Sequence, residues 1–210
     1  MPEVRPTIFV VDDDASVRDA ISNLLESVGL HAQVFGSTEE FWNAPRPDVP
    51  SCLVLDVRLP GVNGLDFQQT LEKAGVFIPI IFITAHGDVP MTSRAMKGGA
   101  IEFLMKPFQK GDLLAAIHQG LERDRVWRQE HNEISSLRSR FQQLTSRERE
   151  VMGLVVTGLI NKQIGAQMGL SEVTVKIYRG RLMQKMGANS LVELVRMSDK
   201  LKPRAHNRLF

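Results

Sequence analysis

Thr7-Ile8-Phe9-Val10-Val11-Asp12-Asp13-Asp14 runs from an apolar segment straight into three acids. A short apolar run bounded by charge is too short for a helix and fits a strand buried on both faces. The construction returns three times: Cys52-Leu53-Val54-Leu55 ends in Asp56, Pro79–Thr84 ends in a hydroxyl, and Ile101–Met105 ends in Lys106-Pro107. Between these runs the spacing turns helical. Val17, Ala20, Ile21, Leu24, Leu25 and Val28 mark a helix from Ser16 that Gly29 ends. Ala32–Phe35 is a short strand, and Ser37-Thr38-Glu39-Glu40 opens a second helix with N-cap chemistry. Leu65, Phe67 and Leu71 suggest a third helix after the turn Leu59–Gly64, with Val89–Lys97 and Leu113–Leu121 the fourth and fifth. Five strands each followed by a helix predict an α/β fold, a doubly wound five-stranded parallel sheet covered on both faces. Such sheets place their chemistry at the carboxyl ends of the strands, where the strand order reverses.

That rule brings Asp12, Asp13, Asp14, Asp56, Thr84 and Lys106 to one edge. Carboxylates gathered in one place repel one another, and a divalent cation removes the conflict. Mg²⁺ suits a few carboxylates completed by waters and phosphate oxygens. A lysine and a hydroxyl beside it suit a phosphoryl group. Each piece alone has a plainer reading: an acidic triplet is a turn in which Asp14 or Ser16 caps a helix, and a lone threonine at a strand end does nothing. The conjunction at four strand ends carries the functional reading.

The chain has 210 residues, 43% hydrophobic and 24% charged, a balance that excludes a wholly disordered chain. No apolar run approaches the roughly 18 residues of a bilayer span. Ile8-Phe9-Val10-Val11 is too short for a secretory core, so export is not expected. The single cysteine, Cys52, excludes an internal disulfide and reads as an inert core residue, with a reducing cytoplasm as the natural compartment. The net charge of +2 conceals a split: residues 1–124 hold 10 Lys+Arg against 17 Asp+Glu, a net of −7, and residues 125–210 hold 16 against 7, a net of +9. An acidic half joined to a basic half predicts two domains with different partners, and a basic surface suits either nucleic acid or plain solvation.

Val10-Val11-Asp12-Asp13, Leu53-Val54-Leu55-Asp56, Leu59-Pro60-Gly61-Val62-Asn63-Gly64, Ile83-Thr84-Ala85 and Lys106-Pro107-Phe108 together resemble the receiver domain of two-component response regulators, over roughly residues 6–122. The stretch Thr84-Ala85-His86-Gly87-Asp88-Val89-Pro90-Met91 is similar to regulators of the FixJ/NarL type. The resemblance implies a flavodoxin-like receiver in which Asp56 accepts a phosphoryl group from a sensor histidine kinase. It implies that Asp13 and Asp56 ligate Mg²⁺ together with the main-chain carbonyl of Arg58, and that Asp12 holds a metal-bound water. Lys106 would pair with the phosphoryl oxygens, Thr84 would move toward them, and Phe103 would be the aromatic switch that follows. Spacing alone makes Phe103 core, on one strand face with Ile101. His86 reads as a solvated loop residue or as a group that tunes phosphoryl lifetime. A cis bond between Lys106 and Pro107 belongs to the same expectation.

In the basic half, Thr145-Ser146-Arg147-Glu148 is a capping box for a helix closed by Gly158. A second helix runs from Asn161 to Met168. Gly169-Leu170-Ser171 turns the chain into a third, Glu172–Met186, and a fourth covers Ser190 to about Lys200. Two helices joined by so short a turn are the helix-turn-helix pattern. In the third helix Val175, Tyr178, Leu182 and Met186 form an apolar stripe, while Thr174, Lys176, Ile177, Gly180, Arg181 and Gln184 lie opposite, with Arg179 at the boundary. Periodicity alone allows an ordinary amphipathic surface helix. Leu144–Val151, Asn161-Lys162-Gln163-Ile164, Ser171–Lys176 and Lys185-Met186-Gly187 resemble the LuxR-type DNA-binding domain over about residues 141–200. The resemblance implies groove contacts from Lys176, Ile177 and Arg179, and phosphate contacts from Lys162 and Thr174.

Trp127, Ile134 and Phe141 recur every seven residues, with Leu137 and Leu144 at the intervening positions and no Pro or Gly between Leu121 and Leu144. This predicts a helical linker continuous with the fifth helix, either pairing two subunits or lying on the receiver. The expected domains are a receiver over 1–122, the helical linker over 123–143 and a small all-α helix-turn-helix domain over 144–210. The expected function is a phosphorylation-dependent transcription regulator rather than an enzyme, binding promoter DNA as a homodimer and engaging RNA polymerase. Two alternatives stand beside it: a Mg²⁺-dependent phosphatase with an aspartyl nucleophile, and a protein–protein adaptor.

Overall fold

Residue parity along the central strands sorts the N-terminal core into two layers, because successive strand side chains point to opposite faces. The computed structural model describes residues 5–202. Its elements are β1 (Thr7–Val11), α1 (Ala15–Ser27), β2 (His31–Phe35), α2 (Thr38–Asn43), β3 (Ser51–Asp56), β4 (Arg58–Leu59), β5 (Val62–Asn63), α3 (Gly64–Lys73), β6 (Ile80–Thr84), α4 (Val89–Lys97), β7 (Glu102–Met105) and α5 (Lys110–Gln142). Four helices follow: α6 (Ser146–Val155), α7 (Asn161–Met168), α8 (Glu172–Met186) and α9 (Leu191–Leu201). β2, β1, β3, β6 and β7 form one parallel sheet in that order, so the order reverses at β1 and β3. Phe9, Val11, Leu53, Leu55 and Phe82 pack with Phe41, Leu65, Phe67, Leu71 and Ala95 from α2, α3 and α4. Ile8, Val10, Cys52, Val54, Ile81 and Ile83 pack on the other face, with Ile21 and Leu25 of α1 and Leu113, Ile117 and Leu121 of α5. Burial raises the Cys52 thiol pKa, with the Asp124 charge adding to it, and the thiol stays protonated.

Two details differ from the sequence reading. The turn after Asp56 is a miniature antiparallel hairpin, β4 against β5, with Pro60-Gly61 at its tip. Ile101 precedes β7 and joins the layer under α1 and α5, while Phe103 packs against the opposite layer. The two residues therefore do not share a face: Ile101 lies outside the strand, where the alternation does not apply.

By its contacts the chain divides between Arg128 and Gln129, inside α5. In the first unit, Asp124 is fully buried and its Oδ2 accepts the Ser51 N–H at 2.8 Å and Arg128 Nε at 2.6 Å. Arg128 also pairs with Asp48, and the Trp127 ring stacks on Phe77 at 4.4 Å. In the second unit Phe141 and Leu144 pack into the helical core. The apolar positions at both ends of the linker repeat are thus occupied within the chain.

The second unit is built on caps and one shared core. Thr145 Oγ1 accepts the Glu148 N–H and Glu148 accepts the Thr145 N–H, the reciprocal capping box of α6. Val151, Val155, Ile164, Val175, Leu182, Met186 and Leu194 converge, and Tyr178 packs against them half-buried. Gly169 ends α7 in the left-handed region at φ 67°, which glycine adopts without penalty. The expected end of this domain at residue 210 lies outside the described residues.

Glu148 is buried, and Lys185 Nζ donates to its Oε2 at 2.7 Å. Burial alone would raise its pKa, but the bonds from Lys185 and Thr145 outweigh that and hold it below the usual 4.5. The stabilisation is fully present above the unfolded-state pKa and fades as pH falls through the lower folded value. Glu148→Gln is expected to cost about 1–3 kcal/mol at neutral pH, and the deficit should shrink toward pH 3 in urea titrations at a series of pH values.

Candidate functional site

β1 and β3 deliver their last residues to the same edge. Asp12 is fully buried, Asp56 nearly so and Asp13 exposed, and the three offer carboxylate oxygens within 4.8 Å of one another. Lys106 reaches over from the end of β7. Its Nζ donates to Asp12 Oδ2 at 2.6 Å and to Asp56 Oδ2 at 3.0 Å. Its peptide bond to Pro107 is cis. The Arg58 N–H at the start of β4 donates to Asp56 Oδ1 at 3.1 Å, which fixes the carboxylate from the other side.

The electrostatics follow from burial. Desolvation dominates at Asp12 and raises its pKa, with the Asp56 charge adding to it, although Lys106 and the Asp14 N–H pull the other way. Burial would lower the Lys106 pKa, but its bonds to Asp12 and Asp56 reverse that and raise it. A partly buried ammonium bridging two carboxylates, with a third acid beside them, is an acidic cluster short of positive charge. Such a donor set fits a hard divalent cation.

Asp14 stands apart: its side chain accepts the Ser16 N–H at 2.8 Å and caps α1, settling which of the two residues is the cap. Thr84 is buried at the end of β6, and its hydroxyl accepts the His86 N–H and donates to the His86 carbonyl, both at 3.3 Å. Phe103 is half-buried, with its ring 6.3 Å from that of Phe82.

Two residues here escaped the sequence reading. Arg18 Nη1 donates to the carbonyls of Asp12 at 2.6 Å and Asp13 at 3.0 Å, holding the acidic loop in shape from one turn into α1. Gly87 lies so near Phe103 and Thr84 that a Cβ there would stand 2.8 Å from the Phe103 ring and 3.3 Å from the Thr84 methyl. The space Phe103 occupies thus depends on a glycine in the β6–α4 loop.

In the second unit Ser171 caps α8: its Oγ accepts the Thr174 N–H at 3.1 Å and lies 2.8 Å from the Thr174 hydroxyl. Lys162, Lys176 and Ile177 are exposed and Thr174 is half-buried. Arg179 is different. It is half-buried, and its Nη1 donates to Asn161 Oδ1 at 2.8 Å, tying α8 to the start of α7. The exposed residues of α8 run Glu172, Val173, Lys176, Ile177, Gly180, Arg181, Gln184, one stripe at helical spacing. In α7, a Cβ on Gly165 would stand 2.6 Å from the Leu170 carbonyl, so the helix-turn-helix corner closes on a residue without a side chain.

Comparison with known proteins gives the same division. Residues 8–118 match the response regulator receiver domain, and residues 142–198 match the bacterial regulatory proteins of the luxR family. Nodulation protein W of Bradyrhizobium diazoefficiens is 55% identical over 197 residues, covering 94% of this chain and 87% of that protein. The transcriptional regulatory protein FixJ of Azorhizobium caulinodans is 41% identical over 198 residues, covering 94% and 93%. Among solved structures, the response regulator StyR superposes with a TM-score of 0.85 at 48% identity, over 93% of this chain and 99% of that one. Neither the phosphatase nor the adaptor alternative gains support from these likenesses. With a receiver-type acidic edge in one unit and a helix-turn-helix in the other, both matched in order along the chain, the chain belongs to the two-component response regulators of the FixJ/NarL type, DNA-binding transcription regulators.

Proposed function

We propose that Asp56 is the phosphoryl acceptor and that its modification controls DNA binding by α8. The observation that carries this is the placement of Asp56 Oδ2 under Lys106 and beside Asp12 and Asp13. An Asp56 carboxylate oxygen attacks the phosphorus of a phosphohistidine in the partner kinase, and the bond from phosphorus to the histidine nitrogen breaks with its electron pair leaving on that nitrogen. Lys106 is poised to pass from carboxylate to phosphoryl oxygen. Asp13, Asp56 and the Arg58 carbonyl would hold Mg²⁺, and Asp12 a water on it. Bound there, Mg²⁺ would offset negative charge on the phosphoryl oxygens.

Thr84 donates its hydroxyl to the new phosphoryl group and gives up its bonds to His86. Phe103, packed against Gly87, then follows, a two-state change of the kind that reshapes an interface. The phosphorylated chain forms a homodimer on promoter DNA, with recognition helices about one helical turn apart, and engages RNA polymerase in the cytoplasm. Among the described residues no helix is long and apolar enough to cross a membrane.

Lys176, Ile177 and Thr174 face the duplex from α8, and Lys162 holds a phosphate from the first turn of α7. Arg179, tied to Asn161, acts from the flank. Lys176→Ala should therefore lower the ratio of specific to random-sequence affinity by about 1–3 kcal/mol. Lys162→Ala should weaken both alike and reduce the salt slope by about one phosphate. Competition titrations against operator and random duplex at several salt concentrations test this. Equal loss on both duplexes for Lys176→Ala would make it a backbone contact and rotate the docking of α8.

A further inference from the structure

Gly180 lies in the middle of α8, and nothing in the fold asks for a glycine there. Its φ is not positive, and a Cβ would meet no atom within 4 Å. Glycine inside a helix is less stable than alanine by an amount equal to about a four- to fivefold change in local opening. The helix carries that weakness in the exposed stripe of Glu172, Val173, Lys176, Ile177, Arg181 and Gln184. At about 100° per residue, Gly180 falls within roughly 20° of Val173, near the midline of the stripe. Lys176 and Arg181 flank it on opposite sides. Val173, 68% exposed, and Ile177, 50% exposed, give the centre an apolar character. Two cations across an apolar centre match a major groove, with phosphates at its rims and thymine methyls on its floor, and Glu172 lies beyond Lys176 at the end of the stripe.

We infer that Gly180 is a specificity-determining position that acts by having no side chain: it is the point of closest approach between α8 and the duplex, and it lets Val173 and Ile177 reach thymine methyl groups. This rests on the reading of α8 as the recognition helix.

The test uses the full-length chain, its Gly180→Ala and Gly153→Ala variants, and a duplex selected in vitro by the wild type. Gly153 is exposed in α6, and a Cβ there also meets nothing within 4 Å. Hydrogen exchange should show α8 about four- to fivefold better protected in Gly180→Ala, and α6 better protected in Gly153→Ala. Only Gly180→Ala should bind the duplex more weakly, by about fivefold or more. Replacing thymine by uracil in the duplex should weaken the wild type. If Gly180→Ala binds as the wild type does while Lys176→Ala loses discrimination, this inference is overturned and the docking of α8 stands. If neither variant changes binding, both are overturned.

Discussion

Asp56→Asn is expected to fold normally and to take no phosphoryl group from acetyl phosphate, with labelling below detection by intact mass. The amide preserves the shape of the carboxylate, and its single oxygen keeps one of the two bonds that Oδ1 now accepts from the Arg58 N–H and Oδ2 from Lys106. What disappears is the anionic nucleophile, and an amide nitrogen cannot replace it. Asp13 is the informative bystander, because it belongs to the same cluster and is exposed. Labelling of Asp56→Asn at the wild-type rate would move the acceptor to Asp13 or Asp12 and undo the assignment.

Lys106→Ala should produce the second large effect, on stability rather than chemistry. The change leaves Asp12, with no exposed surface, and Asp56 facing each other without the ammonium that now bridges them. Removing one partner of such a pair costs about 3–5 kcal/mol when fully buried. Because Lys106 is 18% exposed, a loss of about 2–4 kcal/mol is expected here. The deficit should shrink when Mg²⁺ is added, since a cation held by the same carboxylates stabilises the folded chain by mass action. It should also shrink as pH falls, because protonation of Asp12, whose pKa burial already raises, removes one of the two facing charges. Denaturant titrations with Mg²⁺ and with a chelator check both statements. A deficit indifferent to Mg²⁺ would mean that the acids do not share a cation.

Much of this edge is legible without coordinates, for a physical reason. Strands buried on both faces read as apolar runs, and the residue that ends each run is the one the sheet presents at its carboxyl edge. Asp12, Asp56, Thr84 and Lys106 were therefore visible as strand terminators. The caps at Ser37 and Thr145 are legible too, and the cap of α1 down to a choice between Asp14 and Ser16, because capping joins near neighbours in the chain. What stayed hidden depends on contacts between distant residues. Nothing near Asp124 announces that its carboxylate closes on the Ser51 N–H, 73 residues away. Gly87 looks like any loop glycine until β7 brings Phe103 against it. Ile101 and Phe103 misled for the opposite reason: alternation was extended one residue past the start of the strand. Helical spacing places Arg179 at the boundary of the polar face, and only the packing of α7 shows that Asn161 holds it.

In the function proposed above, phosphorylation at Asp56 controls what α8 does to DNA. Its most direct measurement is the binding of full-length chain to its operator duplex, followed by fluorescence anisotropy with Mg²⁺, with and without acetyl phosphate. The wild type and Asp56→Asn are compared at one salt concentration. Acetyl phosphate should tighten binding by the wild type and leave Asp56→Asn at the level of the unphosphorylated chain. Equal affinity of the phosphorylated and unphosphorylated wild type, with Asp56 fully labelled in the first, would contradict it.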